Sequence, residues 1–315
     1  MPAFPSNLKA WKCKKAITIN NTSNSNALTD YQVPISLDTA SLISAGKMRS
    51  DGGDIRFADG ATLLNYWVES GINTASTKIW VKVPSIPASS TKTIYVYYGN
   101  PSATSLSNGT ATFDFFDDFE DGDYNGWTWD RYEPDDTLSL ETTNPIEGLY
   151  SLREDQGASW GYVRAYSGFI NGVNLALKVK AKQTGYTYLD AGSGMGFVVM
   201  FYNDSNTLLK SLLWVVYTTT TPEQNPAWTM NAPSVQRVDD WNLPDGQIGE
   251  RELIIANYAP IGATKIKIQA HIQNVDSGTF WTDLYRVRKY TSPEPTTSVG
   301  AEEKRSSIIP LIFIR

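Results

Sequence analysis

The residues best suited to chemistry form one acidic and aromatic block, Phe113–Asp123. It packs six carboxylates and four phenylalanines into eleven residues. Carboxylates this close repel one another and need either water or a cation to balance them. The block also lies between two stretches with β-type patterns, so it indicates a domain boundary and a candidate metal site.

Catalytic patterns are weak in this chain. Its single histidine, His271, lies in a segment that alternates polar and apolar residues, where a histidine is more often a surface residue than a general base. No HExxH, nucleophile elbow or Gly-rich phosphate loop accompanies it. The adjacent Asp117 and Asp118 would diverge in a strand, unlike the paired carboxylates of a glycosidase. The sequence therefore predicts a protein that is not an enzyme, with no catalytic residues.

The composition limits which classes of partner the protein can bind and where in or outside the cell it can act. The net charge is -6 and no basic cluster stands out along the chain, which argues against nucleic acid and anionic membranes as partners. The single cysteine, Cys13, excludes an intrachain disulfide framework. Residues 1–6 lack the features of a signal peptide. We therefore expect either that a leader has been removed or that the protein reaches the outside by assembly, as a virion component would.

The elements that must position these residues are β-strands. A length of 315 residues favours about two domains. Residues 11–112 contain many short segments of period two separated by turn residues, which predicts an antiparallel sandwich. Asp38 is placed to cap a short helix that continues to Met48. Residues 113–290 show the same strand pattern, clearest where Ile266, Ile268, Ala270 and Ile272 alternate with polar residues.

Five sequence blocks of the first domain are similar to those of a known domain family. They are Trp11–Ile19, Asp51–Phe57, Tyr66–Glu69, Ile79–Pro87 and Ile94–Pro101. Together they resemble a domain family of unknown function that is found in surface proteins and virus-encoded proteins of archaea and some bacteria. The resemblance implies a fold and a lineage, and it implies no catalytic residues.

Three motifs of the second domain carry another resemblance. Asp117–Gly122, Glu147–Leu152 and Thr279–Tyr285 resemble, in this order, the jelly-roll carbohydrate-binding modules and their galactose-binding-like relatives. A laminin-G or concanavalin-like sandwich would show similar motifs. The two resemblances together imply an all-β chain of two antiparallel, jelly-roll-like β-sandwich domains in tandem.

The second resemblance implies a structural calcium ion. In the related modules an acidic residue near the first strand and an aspartate in the last strand share the ion. Carried over by motif, the ligands are Asp118 or Glu120, Asp283, and backbone carbonyls near Gly148. This chain has one aspartate in the last strand where the relatives commonly have two. The alternative is a solvated turn, with Asp and Gly chosen for turn geometry.

The same resemblance implies sugar binding through stacked aromatic rings and hydrogen-bonding side chains. The candidates are the aromatic and polar residues Trp160, Tyr162, Trp214, Tyr217, Trp228, Trp241, His271 and Gln273. The alternative is that the tryptophans belong to the core and that the polar strand face is exposed to water.

The C-terminal stretch, residues 291–315, reads as a Pro-, Ser- and Thr-rich linker followed by an apolar arm. The apolar residues of the arm are Ile308, Ile309, Leu311, Ile312, Phe313 and Ile314. The run is too short to span a bilayer. Exposed to water it would promote aggregation, so we expect it to dock on a neighbouring subunit or virion protein, or to fold back on its own domain.

The predicted organisation is an N-terminal arm (1–10), a sandwich of unknown-function type (11–112), a carbohydrate-binding-like jelly roll (113–290) and the linker with its arm (291–315). The predicted function is structural or receptor-binding and glycan-directed, in a homo-oligomeric adhesion protein of an archaeal virus or cell surface. It would lie on a virion or outside the cell and contact glycans or a host receptor. The alternative is the accessory carbohydrate-binding portion of a glycan-degrading enzyme.

Overall fold

The chain forms two β-rich units, the second inserted into the first. A computed structural model describes residues 4–157, 161–185, 194–217, 233–238, 241–273, 275 and 278–305. One unit comprises Met1–Phe113 together with Thr291–Arg315, and the other comprises Asp114–Tyr290. The prediction of an all-β chain built from antiparallel sheets is confirmed.

The strands are numbered in chain order. Before the insertion they are β1 Cys13–Asn20, β2 Leu28–Leu37, β3 Arg56–Asp59, β4 Thr62–Leu64, β5 Tyr66–Ser70, β6 Thr77–Ile86 and β7 Thr91–Tyr98. In the inserted unit they are β8 Phe115–Asp117, β9 Thr128–Arg131, β10 Thr137–Glu141, β11 Ser151–Asp155, β12 Tyr162–Tyr166, β13 Ile170–Asn171, β14 Leu175–Thr184, β15 Gly194–Tyr202, β16 Leu208–Tyr217, β17 Val235–Arg237, β18 Trp241–Asn242, β19 Ile248–Ile254, β20 Lys265–Gln273 and β21 Thr279–Lys289. The last strand is β22 Thr296–Lys304, and the helical turns are Ser6–Leu8, α1 Thr39–Ser44, α2 Gly109–Thr112 and Ile255–Tyr258.

The first unit is a sandwich of a five-stranded sheet, β22-β1-β7-β3-β4, and a three-stranded sheet, β2-β6-β5. Alternate residues such as Ile17, Val33 and Val81 are fully buried between them, as the period-two pattern predicts. The Asp38 carboxylate accepts the backbone N–H of Ser41 at 3.0 Å, so the predicted cap is present. The helix that it caps ends at Ser44, before the predicted Met48.

The assignment of residues 291–315 to a linker and arm is wrong for β22. This strand pairs with β1 from Cys13↔Lys304 to Asn20↔Thr296 and forms the edge of the five-stranded sheet. The chain leading to it is also bound, since the Asn24 amide donates to Thr291 Oγ1 at 2.8 Å and to the Pro293 carbonyl at 2.9 Å. Its composition of Pro, Ser and Thr resembles a linker, and only the pairing partner makes it a strand.

The inserted unit packs two larger sheets around one core. One sheet has the order β10-β11-β21-β14-β19, with β8 also paired to β21. The other has the order β17-β16-β15-β20-β12-β9 and is called here the site sheet. Because β8 pairs with the end of β21, the chain enters and leaves this unit along neighbouring strands. Within the ranges that the structure describes, no helix combines the length and apolar composition that crossing a bilayer requires.

Candidate functional site

A line of polar side chains crosses the face of the site sheet that points away from the core. On β20, Ile266, Ile268, Ala270 and Ile272 are fully buried in the core. The intervening Gln269, His271 and Gln273 therefore lie on the opposite face. The alternative that this polar face is exposed to water does not hold, because His271 is 1% exposed and Gln273 is 9% exposed.

Strand register brings a second set of side chains beside the first. His271 lies directly opposite Arg164 of β12. Gln273 lies opposite Tyr162 in the same pairing. Residues directly opposite each other share a face of the sheet, so the four side chains form one group. We call Tyr162, Arg164, Gln269, His271 and Gln273 the polar row.

Hydrogen bonds connect the members of the polar row. The Gln269 amide nitrogen lies 2.6 Å from His271 Nδ1, and His271 Nε2 lies 3.1 Å from Gln273 Oε1. A neutral imidazole with its proton on Nε2 satisfies both contacts, because an amide N–H donates to Nδ1 and Nε2–H donates to the amide oxygen. Burial, together with the charge of Arg164, holds the pKa of His271 well below its usual range. The neutral ring therefore orients the two glutamine amides.

Aromatic rings adjoin the polar row at the β12 side. The Arg164 guanidinium lies 3.7 Å from the centre of the Tyr162 ring and donates to Gln273 Oε1 at 3.0 Å. Tyr132 packs on Tyr162 with their ring centres 5.9 Å apart, and 64% of Tyr132 is exposed. Partly exposed rings beside fixed donors and acceptors are the elements from which sugar sites are built.

Asp130 and Tyr166 extend the same face beyond the row. Asp130 of β9 lies opposite Arg164, and both of its carboxylate oxygens are 3.4 Å from Tyr166 Oη. Burial raises the pKa of Asp130, and burial raises the pKa of Tyr166 to about 12.

The sequence did not predict Tyr132, Arg164 and Asp130 as site residues. The alternation of residues 162–166 is a usable signal for Arg164, but the pairing of β12 with β20 is not visible in the sequence.

The remaining predicted sugar-binding residues lie elsewhere. Trp214 is fully buried, and its ring stacks on that of Trp241 at 5.6 Å. Both belong to the core, which is the alternative that the sequence left open. Trp160 and Trp228 lie outside the described residues, as does the side chain of Tyr217. The structure thus brings Tyr162, His271 and Gln273 together and places Trp214 and Trp241 away from that face.

The predicted calcium ligands converge on the loop 146–151. Glu120 Oε1 accepts the backbone N–H groups of Leu149 and Tyr150 at 2.7 and 3.1 Å. Gly148 has a φ of +62°, and a Cβ there would collide with the Glu120 carboxylate. From the other side, Asp283 accepts the backbone N–H of Glu147 at 3.2 Å and the Ser151 hydroxyl at 2.9 Å. Two distant carboxylates therefore hold one loop.

The arrangement of these carboxylate oxygens shows whether the loop 146–151 offers a ready site for a cation. Among the described residues, no three His, Cys, Asp or Glu side chains lie close enough together to hold a metal ion. Glu120 and Asp283 direct oxygens at N–H and O–H donors instead, and burial raises the pKa of Asp283 to about 7. Asp118 contacts the Glu120 backbone N–H at 3.4 Å rather than the loop. The loop is held by direct hydrogen bonds, and calcium stays a prediction.

The comparisons with known proteins give one family match. A family model described as a domain of unknown function, DUF2341, matches residues 51–132. The match agrees with the resemblance of the first domain but covers only part of the chain. No curated protein matches the chain.

Several solved structures are similar to the chain at low identity. The enzymatically active domain of bacteriophage CBA120 tailspike protein 4 has a TM-score of 0.38 at 10% identity, covering 59% of this chain and 22% of that chain. The C-terminal family 22 carbohydrate-binding module of Clostridium thermocellum Xyn10B has a TM-score of 0.33 at 14% identity, covering 57% and 94%. The family 11 carbohydrate-binding module from Clostridium thermocellum has a TM-score of 0.35 at 11% identity, covering 56% and 96%. TM-scores of this size do not establish a shared fold.

Proposed function

We propose that this chain is a glycan-directed binding protein that works without turnover, as an outward-facing structural or receptor-binding component of an archaeal virus or cell surface. The observation that carries the glycan-binding part is the polar row, with the exposed Tyr132 ring packed on its Tyr162. The exposed Tyr132 ring offers a face for a pyranose, while the Arg164 guanidinium and the Gln273 amide nitrogen offer N–H donors for hydroxyl groups.

The chemistry of the site supports binding rather than turnover. His271 is neutral and both of its ring nitrogens contact glutamine side chains, so the ring positions its neighbours. Asp117 of the acidic block accepts the Trp127 indole N–H at 2.7 Å and the Phe119 backbone N–H at 2.9 Å. Both groups act as hydrogen-bonding supports, His271 within the polar row and Asp117 in β8 of the other sheet.

A glycan array followed by calorimetry on the strongest ligand tests the proposal. We expect Tyr132→Ala and Tyr162→Ala to weaken binding about ten-fold each, because the first removes the exposed stacking ring and the second removes the ring on which Tyr132 and Arg164 pack. Leu149→Ala is the matched control, since Leu149 is 66% exposed and Tyr132 is 64% exposed. Its affinity should equal that of the unaltered chain.

Stability distinguishes a binding residue from a core residue in the same experiment. Trp214→Ala should lower the free energy of unfolding by about 3–5 kcal/mol, since it empties a buried indole site. Tyr132→Ala should leave the unfolding free energy nearly unchanged. The proposal fails if no glycan binds, or if both tyrosine variants bind as well as Leu149→Ala.

A further inference from the structure

The first unit contains a cavity of about 930 Å³ that belongs to a different unit from the polar row. Its charged lining residues are five cations and one carboxylate, namely Lys12, Lys47, Arg49, Lys304, Arg305 and Asp54. Cys13, Gly46, Gly99 and Pro101 complete much of the wall. We call this cavity the basic pocket.

Strand pairing assembles the basic pocket from separate parts of the chain. Lys12 precedes β1, and Lys47 and Arg49 follow α1. Lys304 ends β22, directly opposite Cys13 in the β1–β22 register. The backbone N–H of Arg305 then donates to the Lys12 carbonyl at 2.9 Å, which fixes the last cation beside the first.

The carboxylates near the pocket already form hydrogen bonds or ion pairs within the protein. The buried Asp54 carboxylate accepts the backbone N–H groups of Arg49, Gly99 and Asn100 at 3.1, 2.7 and 3.2 Å. Glu302 pairs with Lys47 at 2.8 Å. Asp51 pairs with Arg49 at 2.7 Å. Each of these anions therefore has donors in the protein itself.

Two cations of the pocket keep their charge available. Lys12 and Lys304 are exposed, and neither forms an ion pair with a carboxylate in the part of the chain that the structure describes. The whole chain carries a net charge of -6, so the positive charge of the pocket is opposite in sign to the net charge of the chain. A concave surface lined with cations concentrates the attraction for one anion.

We propose that the basic pocket binds an oxyanion group, a carboxylate or sulfate, carried by a small molecule or by an acidic sugar. Cations that line one cavity attract the oxygens of such a group, and the ammonium groups of Lys12 and Lys304 supply N–H donors for them. The concave shape fits a single substituent better than a flat membrane or a nucleic-acid backbone. The proposal is independent of the glycan-binding face of the inserted unit.

The pocket offers charge and hydrogen bonds without a reactive thiol. Burial, assisted by the charge of Glu302, raises the pKa of the Cys13 thiol above its usual value. A thiol that stays protonated is a poor nucleophile. The chemistry of the pocket is therefore that of a binding site.

Amide chemical shifts of Gly46 and Gly99 in the full chain test the proposal. Sodium sulfate, sodium glucuronate and neutral glucose are titrated separately at constant ionic strength. We expect saturable shifts with sulfate and glucuronate and none with glucose. Tighter binding of glucuronate identifies an acidic sugar as the source of the group, and equal or tighter binding of sulfate identifies a free anion.

Charge-neutralising variants decide whether the response is specific. Lys12→Gln and Lys304→Gln should each weaken anion binding about three-fold, and the double variant about ten-fold. Lys82→Gln removes the same charge from β6, outside the pocket, and should leave the affinity unchanged. Absence of saturable shifts overturns the proposal, and so does equal weakening by Lys82→Gln. A single-stranded oligonucleotide is titrated as a further probe. If it binds more tightly than sulfate and glucuronate, and if Lys12→Gln, Lys304→Gln and Lys82→Gln all weaken it equally, the proposal is overturned in favour of a diffuse basic surface.

Discussion

Asp283 is a buried carboxyl group and Asp117 a partly buried one, and both hold the first segments of the inserted unit in place. Asp283 accepts hydrogen bonds from the loop 146–151, and Asp117 accepts one from Trp127. Burial raises the pKa of Asp283 to about 7 and the pKa of Asp117 to about 6. A carboxyl group whose pKa is higher in the folded state binds its proton more tightly there. These residues therefore link the stability of the unit to pH.

The expected direction is a loss of stability as pH rises. Between the unfolded pKa near 4 and the folded pKa of about 7, the folded chain holds protons that the unfolded chain has released. Asp283→Asn removes this titration and keeps an amide oxygen as acceptor. Its unfolding free energy relative to the unaltered chain should increase by on the order of 2–4 kcal/mol from pH 4 to pH 8. Denaturant titrations across this range measure the difference, and a difference that is independent of pH contradicts the prediction.

Calcium would change the behaviour of the same residues. If Glu120, Asp283 and the Gly148 carbonyl hold Ca²⁺, the ion binds the folded chain and stabilises it by about 2.7 kcal/mol at a hundred-fold excess over Kd. Calorimetry on chelator-treated protein should then show a higher melting temperature after calcium is added, and Glu120→Gln should abolish the increase. Asp121→Asn, in the same acidic block, serves as the control. An unchanged melting temperature counts against calcium.

At the level of elements, β22 determines the extent of the first unit. It covers the edge of β1 that β7 leaves unpaired, so its removal exposes a row of backbone groups. Glu302 adds side-chain contacts, since it accepts from Tyr98 Oη at 2.9 Å and from Lys47 Nζ at 2.8 Å. The strand therefore joins the C-terminal end of the described chain to residues near its beginning.

Removing residues 291–315 should loosen β1 in particular. We expect backbone amides of β1 to exchange with deuterium at least ten-fold faster, because their β22 partners are lost. A shorter deletion, of residues 306–315, keeps β22 and should leave β1 protected. Mass spectrometry on peptides that cover β1 and β14 provides the measurement and an internal control. Equal protection of β1 in both deletions would show that β22 is dispensable.

At the scale of the whole molecule, the apolar arm remains a proposed assembly element. Ile308, Ile309, Leu311, Ile312, Phe313 and Ile314 lie outside the described residues. An apolar run of this kind is stabilised when another surface buries it. If it docks on a neighbouring subunit, deleting residues 306–315 should lower the molar mass measured by light scattering. An unchanged mass would favour docking within the same chain.

The fold was largely predictable where the evidence is local. Period-two alternation identified strands such as β20 and its core-facing isoleucines, and Asp38 identified the start of α1. The convergence of Glu120 and Asp283 on residues 146–151 followed from a motif resemblance. The buried state of His271 was not predictable, because the exposure of a polar strand face depends on what lies beside it in space.

Local sequence patterns predicted that this chain is all-β, that it has two units, and that the second begins in the acidic block at residues 113–123. These properties depend on the side chains of near neighbours, which alternation and turn residues record directly. Only the folded chain shows that residues 296–304 complete the first unit, that Arg164 lies opposite His271, and that scattered lysines and arginines line one pocket. Each of these depends on pairing between distant strands, as when Arg164 of β12 lies opposite His271 of β20. Register between distant strands is set by the packing of the whole core, which no local pattern specifies.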